Sequence, residues 1–329
     1  MTQTVCAILD DYQGVALSMA DWSAVREHAQ LRVFRDAFAY EDALVAAIGD
    51  CEIVVAMRER TLFRASTFDR LPRLRLLVTT GMRNAAIDMD AARARGITVS
   101  GTASRPEPPA EMTWALLLAL ARHVAPENAA FRAGGPWQTT VGADLHGRQL
   151  GLLGLGKIGT RVATVGLAFG MDVVAWSQNL TQARADTGGV QLAPSKEGLL
   201  ESSDFVSIHL VLSDRTRGLL GRDDLRRMKA SAYLINTSRG PIVDEGALVE
   251  ALTHRWIAGA GLDVFDVEPP RDESPFRTLP NVLATPHLGY VTEASYRVYY
   301  GEAAENVAAF LAGAPVRVVN YDSEQDRSP

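Results

Sequence analysis

The 329-residue sequence has few cysteines, no excess of positive charge and no long apolar run. Its two cysteines, Cys6 and Cys51, are too few for a disulfide framework and indicate a reducing, cytoplasmic setting. The net charge of −6 argues against nucleic acids and anionic membranes as partners. The longest apolar stretch, residues 112–121, is too short to span a bilayer and is predicted to be a buried helix. The first residues lack the pattern of a signal peptide, so no secretory leader is expected.

Apolar runs and helical patterns alternate along the chain, which predicts α/β architecture with parallel sheets. The first part has predicted strands at 5–9, 31–34, 53–56, 74–78 and 97–99, and predicted helices at 20–29, 41–48, 65–71 and 88–95. The proline-rich segment 104–109 interrupts this pattern and is a candidate crossing between domains. Further strands are predicted at 149–153, 171–176, 205–210, 232–236, 258–264 and 282–285, followed by a helix at 293–312. The polar tail, 322–329, is expected to fray.

A glycine-rich turn, residues 154–159, joins a predicted strand to an amphipathic stretch at 160–169. Strand, G-x-G-x-x-G and helix in this order indicate a dinucleotide-binding site. Gly154 is expected to make the tight turn, Gly156 to let the backbone approach the pyrophosphate, and Gly159 to pack helix on strand. A glycine-rich turn without a ligand is the alternative. The predicted cofactor contacts here are Gly154, Gly156, Lys157 and Ile158.

The acidic residue that would select NAD is missing from its expected place. An NAD-selective site carries Asp or Glu about 20 residues further on, at the end of the next strand, where it binds the ribose 2′-hydroxyl. That strand is followed here by Ser177, Gln178 and Asn179, and the nearest arginine is Arg184. The cofactor is therefore predicted to be NAD or NADP, with a lean to NADP. Ser177, Gln178 and Asn179 are predicted to contact it.

Polar and charged residues follow the strands of the second part, where ligands bind in open α/β sheets. Arg239 offers a fork-shaped cation that suits a substrate carboxylate. His287 offers a proton donor that works near neutral pH, and Glu268 would fix the tautomer of that histidine. The alternative is a hydrogen-bonding histidine with solvated surface charges.

Four motifs in order resemble the D-isomer-specific 2-hydroxyacid dehydrogenase family. They are the glycine-rich turn, N-T-S-R-G-P-I-V-D at 236–244, G-L-D-V-F at 261–265 with Glu268 and Pro269, and T-P-H-L-G at 285–289. The resemblance implies an NAD(P)-dependent enzyme that interconverts a 2-keto acid and a D-2-hydroxy acid by hydride transfer. Arg239 would bind and polarise the substrate, with His287 as general acid/base paired to Glu268. The implied cofactor contacts also include His209, Thr237 and Asp263.

The resemblance also implies the domain organisation. A Rossmann NAD(P)-binding domain at 101–288 would be inserted into a flavodoxin-like substrate domain made of 1–100 and 289–329, with the substrate in a cleft between them. A homodimer would form through the inter-domain helix and the region around Trp137. No metal site is predicted.

Departures from the family pattern bear on the substrate. Arg83 stands in the substrate loop where a small residue is common, and Tyr290 follows His-Leu-Gly where a small residue is usual. We hypothesise that Arg83, with Arg58 or Arg60, binds a second acidic group or a polar tail of the substrate. Salt bridges from these arginines to Glu59 and Asp88 are the alternative. The predicted substrate contacts are Arg58, Arg60, Gly81, Met82 and Arg83.

The sequence leaves several alternatives to a 2-keto acid reductase. Phosphoglycerate- and phosphite-type dehydrogenases of the same family share the Arg-Glu-His set. Formate dehydrogenases carry Gln at the position of Glu268, which argues against that activity here. A cofactor-sensing binding protein on a dehydrogenase fold is an alternative from a different class, since fold does not fix function.

Overall fold

The computed structural model describes residues 3–320, so the predicted fraying of 322–329 lies outside the described residues. The described chain divides into two compact units. One unit contains residues 3–105 and 292–320, and the other, residues 106–291, is inserted between these two segments of sequence. The boundaries between the units lie directly after Arg105 and after Val291, a few residues later than the predicted domain boundaries.

The first unit is built on a parallel sheet. Its strands are β1 (Thr4–Ile8), β2 (Ala29–Val33), β3 (Ile53–Ala56), β4 (Leu76–Thr79) and β5 (Thr98–Gly101). Its helices are α1 (Ser23–Arg26), α2 (Glu41–Ile48), α3 (Ala65–Asp69), α4 (Met89–Ala94) and α12 (Glu293–Leu311). The strand order β2-β1-β3-β4-β5 is the flavodoxin-like doubly wound order. All residues of β3 and β4 are buried, as expected for strands covered on both faces.

The second unit contains a larger parallel sheet. Its strands are β6 (Gln149–Leu153), β7 (Asp172–Trp176), β8 (Gln191–Leu192), β9 (Phe205–Ile208), β10 (Tyr233–Asn236), β11 (Gly259–Leu262) and β12 (Val282–Ala284). Its helices are α5 (Glu107–Ala121), α6 (Val124–Arg132), α7 (Lys157–Ala168), α8 (Gln182–Thr187), α9 (Lys196–Ser202), α10 (Arg222–Arg227) and α11 (Glu245–Thr253). The strand order β12-β11-β10-β9-β6-β7-β8 is the Rossmann order with an additional edge strand.

These two sheets confirm the predicted fold class. The strand order of the second unit reverses at β6, which pairs with β7 on one side and β9 on the other. A strand-order reversal opens a crevice at the carboxyl ends of the strands, and dinucleotides bind there. The glycine-rich turn follows β6 and therefore begins at this crevice.

Proline and short polar residues define several helix starts. Helix α5 begins at Glu107, earlier than predicted, because Pro108 and Pro109 lie in its first turn, where a missing N–H breaks no helical bond. Asp88 begins α4, since its carboxylate accepts a hydrogen bond from Ala91 N at 2.9 Å. Thr292 begins α12 in the same way through Ser295 N. Within residues 3–320, no helix has both the length and the apolar character needed to cross a membrane.

Candidate active site

The glycine-rich turn has the geometry that its sequence requires. Gly154 adopts a positive φ of 104° and donates its N–H to Trp176 O at 2.8 Å. A Cβ on Gly159 would collide with the carbonyl oxygen of Gly154, so only glycine lets α7 pack this closely. Gly156 differs, because a Cβ added there would meet no atom within 4 Å. Space is therefore open beside Gly156 at the start of α7, where Lys157 and Ile158 follow and no side chain caps the helix.

This turn fits the phosphates of a dinucleotide. The first N–H groups of a helix lack intrahelical acceptors and carry the positive end of the helix dipole. Open space beside Gly156 leaves room for a pyrophosphate to approach these groups.

The segment after β7 borders the same turn. The carbonyl oxygen of Ser177 accepts a hydrogen bond from Leu180 N at 3.0 Å, and Gln178 and Asn179 are exposed at the tip of that turn. Arg184, on α8, donates from Nε to Leu155 O at 3.2 Å. The fold thus brings a guanidinium from the following helix to the glycine-rich turn.

His209 lies against the glycine-rich turn from the neighbouring strand. A Cβ added to Gly154 would collide with the carbonyl group of His209. Its Nε2 lies 2.9 Å from Ser207 Oγ, and burial lowers the pKa of His209 to about 4. The imidazole is therefore neutral at pH 7 and serves as a packing and hydrogen-bonding group beside the turn.

The turn that carries Arg239 is held by the side chain of Asn236. Asn236 Nδ2 donates to Arg239 O at 3.0 Å, and Ser238 N donates to Asn236 Oδ1 at 3.0 Å. The Arg239 side chain is partly buried and donates from Nη1 to Ser238 O at 2.7 Å. Gly240 lies so close to the backbone of Phe265 that a Cβ would collide with it. The turn after β10 is thus held directly against the segment after β11.

Thr237, in the same turn, is buried and contacts α5. Its Oγ1 lies 2.7 Å from Thr113 Oγ1, which donates to Pro109 O at 2.9 Å. No sequence pattern signalled this link, because the two threonines are 124 residues apart in the chain.

Glu268 and His287 form a close pair. His287 Nδ1 lies 2.5 Å from Glu268 Oε2, and the other carboxylate oxygen, Oε1, accepts a hydrogen bond from Phe265 N at 2.9 Å. A carboxylate can only accept, so Nδ1 carries a proton and Nε2 is the nitrogen available for proton transfer. Since Phe265 also abuts Gly240, a continuous set of contacts runs from the Arg239 turn to His287.

Asp263 anchors the loop that carries His287. Its carboxylate is fully buried and accepts hydrogen bonds from Thr285 Oγ1 at 2.6 Å and from the N–H groups of Leu288 and Gly289 at 2.7 Å each. Burial raises the pKa of Asp263, and these donors, with the nearby charge of His287, oppose that rise. The resemblance to known dehydrogenases predicted Asp263 as a nicotinamide contact, but it did not reveal this anchoring role.

In the first unit, Arg58 lies against the predicted substrate loop. Arg58 adopts a left-handed backbone with φ of 52°, and its N–H donates to Thr80 Oγ1 at 2.9 Å. Its Nη1 donates to Thr80 O at 3.2 Å, and Asn84 Nδ2 donates to Arg58 O at 2.6 Å. A Cβ on Gly81 would collide with the Arg58 guanidinium. Arg58 Nε also lies 3.7 Å from Glu59 Oε2, the salt-bridge partner considered from the sequence.

The other predicted substrate residues differ in their surroundings. Arg60 donates from Nη1 to Asp10 O at 3.0 Å, and its guanidinium carbon lies 4.4 Å from the ring centre of Tyr12. Met82 and Arg83 are exposed on the loop. Asp88 is the N-cap of α4.

A Rossmann sheet, a glycine-rich turn that fits phosphates and a Glu-His pair beyond neighbouring strands define a dinucleotide-dependent dehydrogenase. The family model "D-isomer specific 2-hydroxyacid dehydrogenase, NAD binding domain" matches residues 114–289, more than half of the chain. The chain belongs to the D-isomer-specific 2-hydroxyacid dehydrogenase family. It is an NAD-dependent oxidoreductase that acts on 2-hydroxy acids, which confirms the predicted class of enzyme.

Three similar proteins illustrate the range within the family. The glyoxylate reductase of Korarchaeum cryptofilum is 35% identical, over 93% of this chain and 94% of that protein. The crystal structure of a phosphoglycerate oxidoreductase from Vibrio cholerae has a TM-score of 0.90 and 36% identity, and covers 95% of this chain and 100% of that chain. The crystal structure of the D-lactate dehydrogenase of Aquifex aeolicus, solved with NAD and lactic acid, has a TM-score of 0.80 and 26% identity. The match covers 97% of this chain and 100% of that chain.

Proposed function

We propose that this protein reduces a 2-keto acid to a D-2-hydroxy acid with His287 as the general acid. The observation that carries the proposal is the 2.5 Å contact between His287 Nδ1 and Glu268 Oε2. This contact directs the imidazole so that Nε2 can hold the transferable proton and deliver it to the carbonyl oxygen of the substrate. Glu268 fixes the orientation and the tautomer of the imidazole.

Arg239 is proposed to bind the substrate carboxylate and to polarise the carbonyl group. Its backbone is held by Asn236, and its guanidinium is planar and permanently charged, which suits paired hydrogen bonds to a carboxylate. The nicotinamide supplies the hydride when the cofactor is bound. In the reverse direction, His287 would accept the hydroxyl proton of the 2-hydroxy acid.

The cofactor is proposed to be held by the glycine-rich turn, the segment after β7 and the residues that face them. We infer a preference for NADP over NAD. No carboxylate follows β7, and Arg184 lies against Leu155 in the glycine-rich turn, within a region suited to a 2′-phosphate. The proposed contacts are Gly154, Gly156, Lys157, Ile158, Ser177, Gln178, Asn179, His209, Thr237 and Asp263.

The substrate is proposed to carry a second acidic group or a polar tail. Arg58 and Arg83 supply positive charge at the predicted substrate loop, whereas the contacts of Arg60 with Asp10 and Tyr12 support a structural task for that residue. A phosphorylated substrate is a second candidate, which the 36% identity to the Vibrio cholerae phosphoglycerate oxidoreductase favours. Of the five predicted substrate contacts, Arg58, Gly81, Met82 and Arg83 are proposed to touch the substrate, and Arg60 is proposed to hold the segment that contains Asp10 and Tyr12.

A cytoplasmic homodimer is the proposed state in the cell. None of the described residues of α6 is buried. Phe131, Trp137 and Val141 nearby are 69%, 78% and 94% exposed. Exposed apolar patches commonly mark protein interfaces. Light scattering of the purified protein tests this, and a monomeric mass at micromolar concentration would contradict it.

The test of the function is a panel of initial rates. NADH and NADPH oxidation would be followed with glyoxylate, pyruvate, hydroxypyruvate, phenylpyruvate, oxaloacetate, 2-ketoglutarate and 3-phosphohydroxypyruvate. Turnover of at least one 2-keto acid is expected, with higher kcat/KM for substrates that carry a second acidic group. Cofactor binding with no turnover of any member would contradict the proposal and favour a cofactor-sensing role.

A further inference from the structure

The imidazole of His287 is hydrogen-bonded through Nδ1. Its Nδ1 lies 2.5 Å from Glu268 Oε2, and its backbone N–H donates to Thr285 O at 2.9 Å. The backbone is left-handed at this residue, with φ of 54°. These contacts determine where the side chain begins and where Nδ1 lies. Neither contact involves Nε2, so the direction of Nε2 depends on what else touches the ring.

Tyr290 contacts the imidazole as well. The ring centres of His287 and Tyr290 are 5.1 Å apart, and their planes meet at 71°. This is the edge-to-face arrangement that aromatic pairs prefer. Tyr290 is only 5% exposed, so its ring cannot swing away as a surface side chain would. The backbone just before it is held as well, because Gly289 N donates to Asp263 Oδ2 at 2.7 Å.

We infer that Tyr290 is a positioning residue for His287. Its buried ring restricts the plane of the imidazole, while Glu268 restricts Nδ1, so that Nε2 keeps one direction through the reaction. Small errors in the placement of a proton donor slow a reaction steeply. The inference rests on the proposed role of His287 as general acid.

A purely structural role for Tyr290 predicts a different result. If the ring only fills space, its loss lowers stability but leaves the rate per folded molecule unchanged. The chain offers a matched control in Tyr296 and Tyr300, whose rings are 5.5 Å apart at 66° and are 3% and 1% exposed. This pair has the same type of aromatic contact, and neither residue belongs to the proposed catalytic set.

The experiment compares Tyr290→Leu, Tyr290→Phe and Tyr300→Leu with the wild-type enzyme, using the 2-keto acid and the reduced coenzyme that give the wild type its highest kcat/KM. For Tyr290→Leu we expect kcat to fall about tenfold, the kinetic equivalent of a lost aromatic pair. The KM for the 2-keto acid and the Kd for the reduced coenzyme should change less than twofold. The isotope effect on kcat with the 4-deuterated coenzyme should rise, because the chemical step becomes slower than product release. Tyr290→Phe keeps the ring and should stay within twofold of the wild type.

Two results would overturn the inference. One is a kcat within twofold of the wild type for Tyr290→Leu with an unchanged isotope effect. The other is the same tenfold loss in Tyr300→Leu or in Tyr290→Phe. If Tyr290→Leu does not fold, Tyr290→Met fills the space with a flexible chain and should show the same loss. His287→Ala is measured alongside, and rates near the wild type for that variant would refute the proposed function instead.

Discussion

The carboxylate of Asp263 lies 2.7 Å from the backbone nitrogen of Gly289 and joins the end of β11 to the loop that follows β12. The same carboxylate accepts hydrogen bonds from Leu288 N and from Thr285 Oγ1. His287 lies between these anchored residues. A buried charge is costly unless donors surround it, and here the donors belong to the loop whose position matters for the proposed chemistry. The fold therefore uses Asp263 to fix the loop that carries His287.

Replacing Asp263 with Asn should disturb that loop. An amide keeps one acceptor oxygen and replaces the other with an NH₂ group. That NH₂ group would face one of the present N–H or O–H donors, which would then have no acceptor. We expect kcat to fall by at least about tenfold and unfolding to become easier by roughly 1–3 kcal/mol, the cost of an unpaired buried donor. Kinetics and urea unfolding measure the two effects. Asp88→Asn is the matched control, because Asn also caps a helix well and should change neither quantity.

His287→Ala should lower kcat by about 10²–10⁴-fold, the usual worth of a general acid. Glu268→Gln should retain more activity than His287→Ala, because the amide oxygen can still accept the hydrogen bond from Nδ1. Steady-state rates of both variants measure the two effects. A His287→Ala enzyme within tenfold of the wild type would rule out His287 as the proton donor.

The partly buried His209 makes stability depend on pH. Its pKa in the folded protein is about 4, lowered by burial from the ordinary 6.5. Its contribution to stability is thus fully present above pH 6.5 and is lost as the pH falls to about 4, because the unfolded chain binds the proton more readily. The loss should be at most about 3 kcal/mol, and less to the extent that the residue retains some exposure.

Urea unfolding without cofactor at pH 4.5, 5.5 and 7 tests this prediction. The wild type should lose more stability on acidification than His209→Gln, whose side chain does not titrate. His254→Gln changes an exposed histidine and is the control. Equal pH dependence in the wild type and His209→Gln would contradict the assignment.

The sequence predicted the local structure around the glycine-rich turn well. The glycine-rich turn and the strand before it follow from residues adjacent in the chain, and β6 has the predicted bounds. The pairing of Glu268 with His287 followed from the resemblance, and the geometry agrees with it. The helices α6 and α8 to α11 were not predicted, whereas the equally short α2 to α4 were, so helix length does not account for the difference.

Contacts between distant segments could not be predicted. Arg60 and Asp10 are 50 residues apart, and no sequence pattern indicates that the guanidinium would bond to that carbonyl. The anchoring of the His287 loop by Asp263 has the same character, since the residues meet only because β11 and β12 pair side by side. Such contacts depend on sheet register, which emerges from the whole core.

The choice of coenzyme is the prediction that depends most on a single position. Ser177 follows β7, where a carboxylate would bind a ribose hydroxyl and repel a 2′-phosphate. Replacing Ser177 with Asp should therefore lower kcat/KM for NADPH by at least about tenfold, the effect of roughly 1.4 kcal/mol of like-charge repulsion. The kcat/KM for NADH should stay constant or rise.

Ser177→Asn is the control for this change, because Asn has the shape of Asp without its charge. Arg184→Ala offers an independent measurement. Loss of the guanidinium beside Leu155 should weaken the binding of NADPH more than the binding of NADH. An equal loss for both coenzymes in Ser177→Asp would mean that the segment after β7 shapes the site without contacting the ribose. A selective loss for NADPH in both Ser177→Asp and Arg184→Ala would mean that coenzyme choice depends on charge at the edge of the glycine-rich turn.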